Sequence, residues 1–149
     1  MDIANFLIWL VLILTVAGVG IGFMVYAYMG SGSLSVLFPE PMALPSSLPD
    51  SNEGTEAAVY FQNGYNAYKS GNYRQAIAQF TQALQQIPTL AEAYHNRGLA
   101  YANLRQDDDS VINLLTSTDL YAQQENGEAL ILIKQQLEAI RARKLDRES

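Results

Sequence analysis

The chain has no cysteine, a single histidine, and no lysine or arginine before Lys69. Each absence excludes something. Without cysteine there is no disulfide framework and no thiolate metal or redox site, although no compartment is chosen by that. A lone His95, with no carboxylates clustered at ligand spacing, leaves neither a nucleophile–base pair nor a metal set. An enzyme is therefore disfavoured and no cofactor is expected. Lysine and arginine number 9 against 15 acidic residues, for a net charge of −6. That balance argues against a nucleic-acid partner, because phosphate binding needs a basic surface.

Charge of either sign is missing from Phe6 to Met29. About 20 apolar helical residues cross a bilayer core, so this run is long enough to span. Trp9 lies near one end and Tyr26 and Tyr28 near the other, where interfacial aromatics belong. A cleaved signal peptide fits less well. The start carries no basic residue, the run is too long, and no Ala-x-Ala site follows. The expectation is a single transmembrane anchor over residues 1–29. With no basic residue near either flank, nothing sets its orientation. Gly18 and Gly22 form a GxxxG pair on one face, which invites a second helix to pack closely. With Gly20 they do not make a nucleotide-binding loop, since no strand precedes them.

Residues 30–55 form a linker with four of the 5 prolines, Pro39, Pro41, Pro45 and Pro49. Proline at this density excludes helix and favours polyproline-like backbone, with a reach of about 60 Å if it were free. Leu34, Val36, Leu37, Phe38, Met42, Leu44 and Leu48 are too apolar for a solvated tether. They are expected to pack back on the following domain, on another protein, or on a membrane surface.

Beyond the linker a pattern recurs after 34 residues. Tyr60, Gly64, Ala76, Phe80, Ala83 and Pro88 are followed by Tyr94, Gly98, Ser110, Leu114, Ser117 and Ala122. Small residues at Gly64, Ala76, Ala83 and Gly98 let helices approach, and the large ones fill the space between them. Helices are expected over about 56–69, 73–86, 91–104 and 107–122. Gly71-Asn72 breaks the first pair, and Pro88 closes the second helix. Asp107, Asp108 and Asp109 read as an acidic helix start rather than a cation site. After Asn126-Gly127 a fifth helix is expected to about Lys144, with Leu130, Ile133, Leu137 and Ile140 as one apolar stripe. Its basic side (Lys134, Arg141, Arg143, Lys144, Arg147) reads as a solvated face with charges favourable near a helix C-terminus, with anionic lipid headgroups as the alternative contact.

The spacing and order of these residues resemble the tetratricopeptide (TPR) repeat, a helix-turn-helix unit that stacks into a solenoid. The resemblance implies two repeats, 57–90 and 91–124, within a repeat region of 56–124. Residues 125–149 then form a capping helix and tail. It also implies protein binding rather than chemistry. In that family the concave groove is lined from fixed places of each first helix. Those places hold Phe61, Tyr65, Tyr68 and Lys69, then Glu92, His95, Asn96 and Leu99, with Ala102 and Asn103 following. The carboxylate clamp of chaperone-tail binders is absent, because Phe61 and Tyr65 stand where it needs lysine and asparagine. An aromatic groove with amide rims suits an apolar or extended peptide.

The expected fold is all-α: one transmembrane helix, a short TPR solenoid and a capping helix. Two repeats fall below the usual minimum of about three for independent stability, so support from the linker, self-association or a partner is expected. The expected function is a membrane-anchored interaction module, an accessory subunit or scaffold. It docks on a larger membrane complex through its helix and its groove, with a homo-oligomer as another outcome. The alternative is a transient assembly factor. Small anchored proteins with Gln-rich repeats resemble those of cyanobacterial and plastid membranes, which places this one in a thylakoid or a bacterial inner membrane.

Overall fold

A computed structural model describes residues 36–45 and 48–148, together with Asp2, Ile3, Trp9, Leu12, Ile13, Thr15, Gly18 and Gly20. It divides into two units, Met1–Ser35 and Val36–Ser149. In the first unit, Ile3, Trp9, Leu12, Ile13, Thr15, Gly18 and Gly20 have helical backbone. Ile3, Trp9, Leu12 and Ile13 are exposed. Thr15 Oγ1 donates to the Leu12 carbonyl at 2.9 Å. Most of the run Phe6–Met29, Gly22 included, lies outside the described residues. Among those described, no helix is long and apolar enough to cross a membrane.

The described residues of the second unit hold five helices and no strand: α1 Asn52–Lys69, α2 Tyr73–Gln86, α3 Ala91–Asn103, α4 Asp107–Gln123 and α5 Gly127–Glu148. Each packs chiefly on its neighbours in the chain, an arrangement compatible with a TPR helical solenoid. Helix α1 begins four residues before the periodicity predicts. Ser51 is its N-cap, and its Oγ accepts from the Gly54 amide at 3.1 Å. At the first turn Gly71 has φ +76°, a left-handed conformation that glycine adopts without steric cost.

The 34-residue repeat is a repeat of contacts. A Cβ on Gly64 would lie 2.8 Å from the Phe80 ring, and one on Gly98 would lie 3.0 Å from Leu114. Each glycine is the only residue that lets its helix seat on the large side chain of the next. Phe61 and Phe80 meet edge to face at 5.3 Å. Arg97 ties three helices together from α3. Its Nε donates to Asn113 Oδ1 of α4 at 2.7 Å and its Nη1 to Thr81 Oγ1 of α2 at 3.1 Å.

Helix α5 covers the far end of the array with Ala129, Ile133 and Ile140, all buried, and with Leu130 and Leu137 partly so. The acidic start of α4 meets the basic end of α5. Arg143 pairs with Asp107, and Lys144 lies 3.4 Å from Asp108. Those two cations of the basic side are thus turned to protein carboxylates, while Lys134 and Arg141 are exposed.

Candidate functional site

The groove is built on α1 and α3, and it is filled by the chain itself. Residues 36–45 have neither helix nor strand. Leu37, Phe38, Leu44 and Leu48 pack against the helical core. Of the surfaces open to this apolar linker, it takes its own repeat domain, so the reach of about 60 Å computed for a free tether does not apply to it.

Two asparagines hold this strap by its backbone. Asn103 Oδ1 accepts from the Phe38 amide at 3.0 Å, and its Nδ2 donates to the Phe38 carbonyl at 2.8 Å. Asn96 Oδ1 accepts from the Met42 amide at 2.6 Å, and its Nδ2 donates to the Met42 carbonyl at 2.8 Å. A carboxamide carries one acceptor and two donors, so it matches the N–H and C=O of a single residue. The spacing also matches. Seven residues of α-helix rise about 10.5 Å, and four residues of polyproline-like chain span about 12 Å. Strap numbers rise as α3 numbers fall, so the two run antiparallel.

Tyr68 completes the clamp from α1. Its hydroxyl donates to the Phe38 carbonyl at 2.5 Å and accepts from Asn103 Nδ2 at 2.8 Å. Burial, with Tyr73 beside it, pushes the Tyr68 phenol up from its ordinary pKa, so it stays a neutral donor. Lys69 Nζ reaches Glu40 Oε2 at 2.6 Å across an exposed surface. That contact raises the Lys69 pKa, chiefly through the hydrogen bond. Within 38–42 the two prolines have no N–H to satisfy. The strap therefore presents few donors, and two of them meet an asparagine.

The residues placed in the groove by the resemblance separate into three groups. Tyr68, Lys69 and Asn96 touch the strap, as does Asn103. Phe61 and Leu99 have no exposure at all. The Phe61 ring packs against Phe80 of α2, whereas Leu99 stands three residues after Asn96 and four before Asn103, on the face of α3 that holds the strap. Tyr65 and Glu92 are half-buried, and burial raises the Glu92 carboxyl.

His95 stands apart. It is fully buried, with Gln136 Oε1 of α5 accepting from its Nε2–H at 2.6 Å. The Tyr121 ring sits edge to face at 5.9 Å. Burial lowers its pKa to about 4, against the hydrogen bond to Gln136, so the ring is neutral near pH 7. Its Nδ1 and the Tyr121 hydroxyl are buried without a hydrogen-bond partner. This histidine joins the repeats to the cap and does not face the groove. Among the described residues no group of histidine and carboxylates is placed to hold a metal ion.

The strap was readable as apolar from sequence, but its seat was not. The signal lay in Asn96 and Asn103, seven residues apart on one helix face, each able to read one peptide unit.

Residues 64–104 match the family model described as TPR repeat, which supports the TPR family for this region. No match was found among curated proteins or among solved structures.

Proposed function

We propose that this chain is a membrane-tethered protein–protein interaction module, an accessory subunit or scaffold that docks its repeat domain onto a larger membrane complex. The TPR match and the all-helical second unit support the interaction role. The uncharged run from Phe6 to Met29 supports the tether. One observation carries the docking role: the face formed by α1 and α3 holds an extended polypeptide by main-chain hydrogen bonds, the chemistry a peptide-binding face requires.

Purification in mild detergent tests this reading. The chain should fractionate with membranes and co-elute with a larger complex at fixed stoichiometry. Presence on incomplete complexes alone would make it an assembly factor. Recovery in the soluble fraction without partners would reject the proposal.

A further inference from the structure

The clamp is selective about what covers it. Asn96 has no exposure and Asn103 has 7%, and burying an amide costs free energy unless both its ends are bonded. A fixed lid needs only apolar side chains on both sides. These amides instead require an occupant that offers a paired N–H and C=O at two places four residues apart. The strap that supplies them lies on the outside of the domain: Pro39 and Glu40 are exposed, and Phe38 and Met42 only half-buried. Its main chain is read by the two asparagines, while Leu37, Phe38 and Leu44 pack against the core and Glu40 faces Lys69.

We propose that the face formed by α1 and α3 is a receptor for a segment of another protein of the form x-Pro-Glu-Pro-x, with the first x large and apolar, as Phe38 is, and the second any residue but proline, and that residues 38–42 are its competing occupant in cis. The proposal rests on the docking role above and names the ligand class. The two outer residues must carry an N–H, since Asn103 and Asn96 each accept one. An acidic central residue is favoured, because it meets Lys69 across an exposed surface. The flanking prolines hold the segment extended and present no N–H at their own positions. A ligand of this kind binds only the fraction of molecules whose strap is open, so its apparent affinity is reduced by that fraction.

The probe is a fluorescein-labelled synthetic peptide, Val-Leu-Phe-Pro-Glu-Pro-Met-Ala-Leu-Pro, the sequence of residues 36–45. Its anisotropy is followed against the full chain in detergent micelles, as wild type and as the Phe38→Pro, Met42→Pro double variant. The double variant removes both clamped N–H groups of the strap, together with the Phe38 side chain that packs on the core, and leaves every residue of α1 and α3 in place. It should bind the peptide at least about tenfold more tightly than wild type. Adding Asn96→Asp, which deletes a donor, should weaken that binding by about tenfold or more. A peptide N-methylated at its methionine should not bind.

Four results would overturn the proposal. They are a folded double variant that ignores the peptide, equal binding of the N-methylated peptide, a double variant that fails to fold, and a wild-type dimer that becomes monomeric in the double variant. The third makes the strap a structural element, and the fourth makes a second copy the occupant. A chain that still co-purifies with a membrane complex after such a result retains its docking role and loses only this ligand.

Discussion

Shifted by 34 residues, the two helix pairs of the repeat region repeat each other's backbone contacts but not their interiors. Between α1 and α2 the buried side chains at the repeating places are Ala76, Phe80 and Ala83. Between α3 and α4 they are Ser110, Leu114 and Ser117, and the same two helices also bury His95, Asn96 and Asn113. The first pair is held by aromatic packing, including the Phe61–Phe80 contact. The second is laced with polar groups, two of which reach other elements, Asn96 the strap and His95 α5, while Asn113 bonds Arg97 within the pair. A helix pair in the middle of a short array must bond sideways to its covers on both sides. The difference between the repeats therefore assigns them roles: the first is the packed base, and the second is the junction.

Removing the aromatic of the first pair should have the largest effect. Phe80→Ala leaves a cavity beside Phe61 and Gly64 and is expected to cost about 3–5 kcal/mol. Leu114→Ala, its counterpart, is expected to cost about 2–4 kcal/mol, because a smaller side chain is lost. Urea denaturation of both measures the ratio, and a larger loss at Leu114 would reverse the assignment of base and junction.

The second expected effect depends on pH and belongs to the junction alone. The folded pKa of His95, about 4, lies below its ordinary 6.5. As pH falls through 6.5 the unfolded chain takes up a proton that the folded chain refuses. Stability is therefore lost progressively between about pH 6.5 and 4, by up to about 3 kcal/mol. Glu92 works the other way. Its raised carboxyl is neutralised more readily when folded, so acidification returns part of that loss. The groups about His95 from other helices, Tyr121 and Gln136, are uncharged through this window. His95→Gln should flatten the dependence, as denaturation midpoints at pH 7 and 4.5 would reveal. Equal slopes for the two proteins would place the acid sensitivity elsewhere.

Converting the junction toward the base should strengthen it. Ser110 Oγ is buried without a hydrogen-bond partner, and Ala76 occupies the matching place in the first pair. Ser110→Ala removes an unsatisfied hydroxyl and should stabilise by about 1 kcal/mol. Ser117→Ala should be near neutral, since its Oγ already donates to the Leu114 carbonyl at 2.8 Å. A loss at Ser110 would mean that the hydroxyl meets water in solution.

The sequence carried the helices well, because their apolar spacing and their breakers are local signals. Gly64 and Gly98 announced close helix contacts, and both make them. The groove was less legible. Its places follow from the repeat, but whether a residue there is surface or interior depends on what lies above it. His95 and Asn96 are adjacent and share no exposure, yet one answers to α5 and the other to the strap. Nothing in the local pattern separates them. The apolar linker signalled that it was held, but not by what, since a proline-rich segment has no periodicity from which to read a partner.

The smallest expected effect lies at one turn. Place fifteen of the first repeat is Gly71 at φ +76°, and the same place in the second is Arg105 at φ 63°. An arginine in the left-handed region carries a strain of about 1 kcal/mol or more, because its Cβ crowds the following carbonyl. Glycine removes the strain but adds about 0.5–1 kcal/mol of unfolded-state entropy. Arg105→Gly should therefore stabilise by only about 0.5 kcal/mol, and Gly71→Arg should destabilise by more than that, since strain and lost fit then add. The sign of each is readable from paired urea curves. An Arg105→Gly chain less stable than wild type would show that the arginine side chain contributes a contact outweighing its backbone strain, and the two turns would then differ in chemistry as the two interiors do.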